Sequence, residues 1–503
     1  MIYLKLSEEN FEYDVRGLLT SFYPREEIAL GAAEQLEPGD RCLEVEYGEK
    51  KIQVRLLSVS DSDSGAGEKT AAETGAAEAA GVGLRVREAS APADTSDRKT
   101  AKSVLKRLVY GILSEDTKKT LPWGTLTGIR PTKIPMAMLE EGYSEEAIIS
   151  YMEETYLTGR EKIDLGIEIA KRERDVLKNI DYQDGYSLYI GIPFCPTTCL
   201  YCSFTSYPIA KWAPRMEEYL EALFQEIDYT KEAFAHKKLN TIYIGGGTPT
   251  TLTPDQMDRL FAKVEESFDF SHLQEWTVEA GRPDSVTEEK LKVLKVHPVS
   301  RISINPQTMK EKTLKLIGRK HSPEQIEEAF SLARAVGLDN INMDLIMGLP
   351  EETIEDVRFT MKKLYAMAPD SITVHSLAVK RAARLNTMKE LYAHLKFENT
   401  GEMMDLTADY CRRLGLNPYY LYRQKNMAGN FENVGYARPG KEGIYNILIM
   451  EEKQSIVACG AGSVSKRVYP DGRIERCENV KDVASFIERI DEMIERKRKL
   501  LED

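Results

Sequence analysis

Cysteine is scarce in this chain: there are seven in 503 residues, an odd number and mostly scattered. A sparse, odd set in a chain of this length excludes a disulfide framework as the organising principle. Long hydrophobic runs are absent too, and no stretch reaches the ~18–20 apolar residues that a bilayer span requires. The opening MIYLKLSEEN has neither a basic start nor an apolar segment, so no signal peptide is expected, and the chain is expected to be cytoplasmic. Positive charge is in deficit. A net charge of −13 argues against a protein that tracks nucleic-acid phosphates, although it leaves room for a local basic patch. No glycine fingerprint for a dinucleotide follows the first strand of the α/β region described below. What remains is ordinary for a globular protein: 42% hydrophobic and 30% charged residues, with length for about two or three domains.

Residues 1–60 read as a small α+β domain. MIYLKL predicts a strand, YDVRGLLTSFY a helix, and CLEVEYGEKKIQVRLLSV a hairpin turning at residues 47–50. Residues 61–98 are rich in Ala, Gly, Glu, Ser and Thr. They are expected to be a disordered linker or insertion, because so little apolar surface cannot offset the entropy of ordering it. Residues 99–180 read as a helical region interrupted by LPWGTLTGIRPTK. Within residues 181–400, short apolar runs at 187–194, 241–245, 276–280, 301–305, 340–347 and 371–377 alternate with amphipathic stretches such as 215–235, 254–268 and 323–335. That alternation predicts parallel strands joined by crossover helices. Six such units fit a partial (β/α)6 TIM-like barrel, where chemistry gathers at the C-terminal ends of strands. Residues 401–503 predict an α+β cap, with a helix near 402–414, strands near 444–450 and 456–458, and a charged amphipathic helix over 478–503.

Four of the cysteines, Cys42, Cys411, Cys459 and Cys477, read as small buried hydrophobes. The other three, Cys195, Cys199 and Cys202, fall within eight residues of YIGIPFCPTTCLYCSF, directly after the first barrel strand. Three soft thiolates in one loop suit an iron–sulfur cluster or zinc. Structural zinc wants four ligands, commonly as two paired knuckles, and no second pair follows. A three-thiolate [4Fe–4S] cluster leaves one iron open, and that open iron is what S-adenosylmethionine (SAM) needs in order to chelate through its amino and carboxylate groups.

This spacing resembles that of the radical SAM superfamily. The longer string YIGIPFC, with its two following cysteines, resembles the oxygen-independent coproporphyrinogen III dehydrogenase family over roughly residues 185–470. LPWGTLTGIRPTK resembles the HemZ-like branch. The resemblance implies a SAM-binding role for Gly245, Gly246 and Gly247 in IYIGGGTPT, with Thr248 beside them. Glycines let the backbone approach a ligand, although such a run can also be no more than a tight turn. It likewise implies SAM contacts for Glu279 in TVEAGRPD, for Gln307 (ribose) in RISINPQTM, for Arg319 (carboxylate, a bidentate task that suits a guanidinium) in LIGRKHS, and for Asp344 (ribose) in NINMDLIMGLP. Gly348 and Pro350 would form the turn after that strand. Tyr189 matches a family tyrosine beside the sulfonium, the position nearest the reacting atoms. Without the resemblance, Glu279 and Arg319 would read as surface charges and Tyr189 as an ordinary strand aromatic. His375, Lys380, Arg381 and Arg384 are candidates to meet substrate carboxylates, or else form a solvated basic helix start. Gly460 and Gly462 are expected to shape a turn against the cluster loop.

The implied activity is oxidative decarboxylation of coproporphyrinogen III propionates to vinyl groups. It would need a tetrapyrrole substrate, a low-potential electron donor and an electron acceptor, with no nucleic acid and no membrane span. Two positions depart from the family pattern: Gly191 stands where histidine is usual, and Phe204 where a further cysteine is frequent. Relatives in the same family are haem chaperones with a His-Asn pair followed by an aromatic dipeptide. Here that stretch holds Tyr445, Asn446 and residues 448–450, without the histidine or the aromatic pair. A haem-binding chaperone is the alternative, and a radical SAM methyltransferase or haem-degrading enzyme a third.

Overall fold

A computed structural model of the chain describes residues 1–24, 26–48, 50–59, 84–388, 390–424 and 427–502. It divides into two units, Met1–Pro131 with Ala137–Ile167, and Thr132–Met136 with Glu168–Asp503.

In the first unit, strands β1 (Ile2–Leu6), β2 (Ile28–Leu30), β3 (Arg41–Tyr47), β4 (Lys51–Val59) and β5 (Leu84–Pro92) form one sheet in the order β2-β1-β3-β4-β5. Helices α1 (Glu12–Phe22) and α2 (Arg98–Thr117) bury Leu18, Leu19, Leu105 and Val109 in a common core with Ile2, Leu4, Val45 and Val54. The hairpin β3–β4 runs in register from Arg41↔Ser58 to Tyr47↔Ile52. The expected linker over 61–98 differs from the structure in its second half: Leu84–Pro92 is a strand, paired along its whole length with β4. Residues 60–83 of that segment lie outside the described residues. β5 sits at a sheet edge and is held by its backbone ladder; most of its side chains are exposed, and buried Arg87 is neutralised by Asp116 at 2.7 Å. Such a strand carries little hydrophobic signal. Helices α3 (Lys133–Glu140), α4 (Glu145–Tyr156) and α5 (Arg160–Leu177) follow in the chain.

The second unit is built on β6 (Gly185–Ile192), the short pair β7 (Phe194–Cys195) and β8 (Tyr207–Pro208), β9 (Lys238–Gly246), β10 (Glu275–Gly281), β11 (Arg301–Ile304), β12 (Ile341–Met347) and β13 (Ser371–Ser376). Between them lie α6 (Ile209–Trp212), α7 (Met216–Ala233), α8 (Pro254–Ser267), α9 (Glu288–Val296), α10 (Glu311–Leu316), α11 (Pro323–Val336) and α12 (Ile354–Met367). There follow α13 (Arg384–Thr387), α14 (Gly401–Arg413), β14 (Asn417–Tyr422), β15 (Asn433–Ala437), α15 (Ile444–Glu451), β16 (Ser455–Cys459), β17 (Val464–Val468), β18 (Ile474–Glu478), α16 (Val483–Glu488) and α17 (Ile490–Glu502). Eleven of these strands make one sheet in the order β14-β15-β13-β12-β11-β10-β9-β6-β16-β17-β18. The run from β13 through β6 is parallel, as the strand–helix alternation predicts, and β16 adds a further parallel strand beside β6. This is an α/β fold whose large parallel sheet is bordered by antiparallel strands.

Strand alternation gives the sheet two chemically different faces. Ile190, Ile244, Val278, Ile302, Met343 and Val374 are buried on one face, and the crossover helices bury apolar stripes such as Leu220, Leu223 and Ile227 of α7. Each fully buried side chain of this size contributes roughly 1.5–3 kcal/mol. The opposite face carries Ser187, Tyr189, Thr241, Tyr243, Glu275, Thr277, Glu279, Arg301, Ser303, Asn342, Asp344 and Thr373. Parallel sheets with both faces covered are ordinarily apolar on both. The helices start where the sequence says: Thr253 and Ser322 form capping boxes with Gln256 and Gln325, each followed by a proline in the first turn.

Two cap elements differ from expectation. The run at 444–450 is helix α15 rather than a strand. A seven-residue run this apolar has no period to distinguish the two, and the Glu275 carboxylate settles it by accepting the Ile444 N–H at the helix start. The stretch from 478 onward begins as the end of hairpin β17–β18 and continues as two helices broken at Arg489, not one. Among the described residues, no helix is long and apolar enough to cross a membrane.

One ion pair ties the C-terminal helix to the parallel sheet. Lys497 of α17 meets Glu226 of α7 at 2.6 Å, with side-chain exposures of 1% and 0%. The same carboxylate accepts the Gly460 N–H and the Asn479 amide, each at 2.7 Å. Removing one partner leaves a buried charge bare, so Lys497→Met is expected to cost about 3–5 kcal/mol, read as a lower urea midpoint. A Glu226→Gln/Lys497→Met double variant should recover part of that loss; an unchanged midpoint in the single variant would contradict the pairing.

Candidate functional site

Strand β6 delivers Cys195 through Pro193 and Phe194, and β7 pairs with β8 to fix the start of the loop. The loop then doubles back, with the Cys202 N–H on the Cys199 carbonyl at 3.3 Å. Three outside anchors hold it: Leu200 N–H to the Ile317 carbonyl (2.9 Å), Thr197 Oγ1 to the Gly318 carbonyl (2.9 Å), and Leu385 N–H to the Leu200 carbonyl (3.1 Å). Burial pushes the Cys195 thiol up and the Cys202 thiol up to about 11; neighbouring Cys199 adds to both rises and Arg319 opposes them. Among the described residues, no set of three His, Cys, Asp or Glu side chains is drawn into a closed ligand cage. The fit of an iron–sulfur cluster therefore rests on donor chemistry: three soft sulfurs in one anchored, half-buried loop flanked by guanidinium groups.

The glycine run after β9 lies along this loop. Gly247 N–H bonds the Ile192 carbonyl at 2.9 Å, and Thr248 N–H the Phe194 carbonyl at 2.7 Å. Thr248 Oγ1 is 3.4 Å from the Cys195 sulfur. A Cβ on Gly247 would fall 2.6 Å from the Phe194 carbonyl oxygen, so only glycine permits the approach. Gly246 adopts φ 97 beneath the Tyr189 hydroxyl.

The polar face supplies the rest. Glu279 accepts hydrogen bonds from Tyr243 and from Asn305 Nδ2 (3.0 Å). Asn305 Oδ1 accepts from Ser303 (3.0 Å) and from the Asp344 N–H (3.2 Å), and Asn342 donates to Asp344 Oδ1 at 2.7 Å. Gln307 sits at φ 67, a strained conformation for a side-chain-bearing residue, with its N–H on the Asp344 carbonyl at 2.9 Å. Tyr189 stacks on Tyr243 at 6.2 Å, which stacks on Tyr445 at 4.5 Å. Arg319 is buried, donates through Nη1 to the Asn305 carbonyl, and has its Nε without a partner. Burial works against its charge, but Tyr201 and Cys199 alongside hold it protonated. An unpartnered buried guanidinium nitrogen beside the thiol loop fits a carboxylate ligand such as that of SAM.

The two acids are unequal. Burial and the neighbouring Asp344 push Glu279 up to about 7. Burial also opposes ionisation of Asp344, but His375 (3.7 Å), Asn342 and Arg301 outweigh it and lower its pKa.

The structure places Gly247, Thr248 and Arg319 against the cysteine loop and Tyr189 over Gly246, beside Gly245, while Glu279, Gln307 and Asp344 share one hydrogen-bond network on the polar face. His375 joins them, with Tyr422 Oη 3.3 Å from its Nδ1. Lys380, Arg381 and Arg384 lie outside the polar face, on the exposed segment after β13. Gly348 turns the end of β12 at φ 82. Gly460 packs backbone to backbone on Gly191. Sequence reasoning passed over Arg282, Asn305, Asn342, Arg301 and Tyr243. For Arg301, Asn305 and Asn342 the signal was the period of two in RISIN and INMDL, which sets polar residues on one face.

Comparison with known proteins gives the family. The profile of the Radical SAM superfamily matches residues 189–364. The chain is 43% identical over 409 residues, 80% of its length and 82% of the relative's, to the oxygen-independent coproporphyrinogen-III oxidase-like protein HemZ of Bacillus subtilis. It is 33% identical over 280 residues to the heme chaperone HemW of the same organism, covering 55% of this chain and 70% of that one. The solved structure of coproporphyrinogen III oxidase HemN from Escherichia coli shares the fold, with a TM-score of 0.50 and 23% identity over 62% of this chain and 70% of that one. Fold and profile define a radical SAM protein. Within that class, the chain belongs to the oxygen-independent coproporphyrinogen III oxidase-like family that includes HemZ. Its cofactors are accordingly a [4Fe–4S] cluster and SAM.

The raised pKa of Glu279 carries a sign. Between about pH 4.5 and 7 the folded chain keeps a proton that the unfolded chain has released, so stability falls as pH rises through that window. Glu279→Gln is expected to flatten this part of the stability–pH curve by on the order of 2–3 kcal/mol. An unchanged slope in chemical unfolding would show that Glu279 is not the buried titrating group.

Proposed function

We propose that this chain catalyses the oxygen-independent oxidative decarboxylation of coproporphyrinogen III, converting two propionates to vinyl groups to give protoporphyrinogen IX. The observation that carries the choice of substrate is a trio of cations. Lys380, Arg381 and Arg384 are exposed on the segment whose Leu385 N–H is fastened to the cluster loop, and Lys380 lies over the Phe204 ring at 5.7 Å. Among the described residues, no carboxylate pairs with any of the three. In a chain of net charge −13, an unneutralised basic patch beside the cysteines suits a substrate bearing four carboxylates. The 43% identity to the HemZ coproporphyrinogen-III oxidase-like protein supports the same reading.

In this proposal Cys195, Cys199 and Cys202 hold the cluster. Arg319 takes the SAM carboxylate, the turn at residues 245–248 and Glu279 take its ammonium, and Gln307 and Asp344 take its ribose. Tyr189 lies beside the reacting sulfonium. When bound, cluster and SAM supply one-electron reduction and a carbon radical able to abstract hydrogen. The polar face orients SAM, and the basic segment positions a propionate over it. Each propionate loses carbon dioxide, one hydrogen atom and one electron, so an external electron acceptor is required, as is a low-potential donor for the cluster.

The rival within the family is haem trafficking, suggested by the likeness to HemW. The stretch where the chaperone pattern carries histidine here presents Tyr445, which is buried on α15 and stacked on Tyr243. It is a packing residue here, and it supports the enzymatic reading.

Strictly anaerobic turnover with SAM, a low-potential reductant and coproporphyrinogen III tests this. Mass spectrometry should find stepwise loss of two carboxyl groups matched by 5′-deoxyadenosine. Cys195→Ala, Cys199→Ala and Cys202→Ala should each lose the cluster absorption. Alanine at Lys380, Arg381 and Arg384 together should raise KM about tenfold with the iron content intact. 5′-Deoxyadenosine without decarboxylated product, together with tight haem binding, would overturn the substrate assignment in favour of trafficking.

A further inference from the structure

Beyond the residues assigned above, a second guanidinium reaches the cysteine loop. At the end of β10, Gly281 turns the chain at φ 38 and directs Arg282 inward, where it is 3% exposed. One side of its guanidinium clasps Asp284, Nε to Oδ1 at 2.9 Å and Nη2 to Oδ2 at 2.8 Å. Its free edge, Nη1, points to the loop: 3.1 Å to Thr197 Oγ1, 3.4 Å to the Thr197 carbonyl and 3.6 Å to the Cys199 sulfur. Asp284 is backed by buried His321, whose Nδ1 lies 3.6 Å away. Cys195 meets a hydroxyl, that of Thr248, and not a cation.

We propose that Arg282 tunes the reduction potential of the cluster through the Cys199 sulfur, and that Asp284 limits how strongly it does so. The inference rests on Cys199 being a cluster ligand. Reducing a [4Fe–4S] cluster adds one negative charge. An N–H donated to a ligating sulfur, and positive charge near it, stabilise the reduced form and move the potential upward. The bidentate carboxylate holds the guanidinium at its station and offsets most of its charge at the cluster. Arg282 is therefore a positioning residue that acts through Cys199. The arrangement predicts opposite signs for its two halves: removing the arginine destabilises the reduced cluster, and neutralising the aspartate stabilises it.

The test uses full-length protein reconstituted anaerobically, without SAM or substrate. Iron content and the EPR signal of the reduced cluster are recorded first; a Cys199→Ala variant that kept an intact cluster would undo the ligand assignment itself, a separate failure. EPR-monitored potentiometry then gives the midpoint. Arg282→Met is expected to move it to more negative potential, Asp284→Asn to more positive, and Arg282→Lys to lie between wild type and Arg282→Met. Equal midpoints in all three variants, or shifts of the same direction in Arg282→Met and Asp284→Asn, would overturn the proposal and leave a merely structural clasp. If Arg282→Met fails to assemble the cluster, Asp284→Asn decides alone: a positive shift supports the proposal, and no shift or a negative one refutes it.

Discussion

A parallel sheet covered on both faces has no water to satisfy its polar side chains, so each such group must find a protein partner. An unpaired buried donor or acceptor costs ~1–3 kcal/mol. That constraint organises the second unit of this protein. Asn305 is the hub: one side-chain oxygen accepts from Ser303 and from the backbone of Asp344, and its amide donates to Glu279. Asn342 then binds Ser303 and Asp344 while accepting from Ser371 and Thr373. The chain so linked crosses four adjacent strands, β10 through β13. It aims two carboxylates at one region without leaving the asparagines unsatisfied. The atoms that stay unpartnered are informative in the same terms. Arg319 Nε is buried beside the cysteine loop, where an anionic ligand would complete it.

The other end of the sheet solves a different problem, that of holding a loop made of special backbone. Gly460 stands at φ 99, and a Cβ there would fall 2.4 Å from the Gly191 carbonyl. Two buried side chains of α7 fix this approach: Glu226 takes the Gly460 N–H, while Tyr219 donates to the Gly191 carbonyl at 2.6 Å and accepts the Ala461 N–H at 3.2 Å. Lys497 neutralises Glu226, so the last helix of the chain acts on the geometry of the cluster strand. The two departures from the family pattern, Gly191 and Phe204, line one cavity of about 220 Å³ together with Tyr189, Gly246 and Gly462. Two positions far apart in chemical character thus border a single volume.

Much of this was legible in the sequence, because the informative residues broke local rules. The cysteine spacing and a carboxylate among apolar residues in INMDLIM lacked an ordinary explanation, and the glycine run drew its meaning from following the cysteines by one strand. The parallel strands were readable from alternation alone. What escaped was set by partners distant in sequence. The segment 444–450 is a helix because Glu275, far upstream, caps it. Leu84–Pro92 is a strand because β4 offers a free edge, not because its own side chains ask to be buried. Arg282 went unread in the sequence, and the turn at Gly281 places it against Cys199. In each case the deciding contact is long-range, and no window of the sequence contains both sides of it.

The acid pair shows which charge such a face suits. Two carboxylates on a water-poor face raise one another's cost of ionisation, and the chain divides the burden unevenly. Asp344 has His375 and Asn342 to favour its charge, and Glu279 is left with a pKa near 7. Among the described residues, no cation hydrogen-bonds Glu279: buried Arg301 acts on it through its charge and donates a hydrogen bond to Ser371. A ligand carrying positive charge would favour release of the Glu279 proton and would gain affinity from relieving the repulsion between the two carboxylates. The same reasoning disfavours an anionic occupant at this end of the polar face.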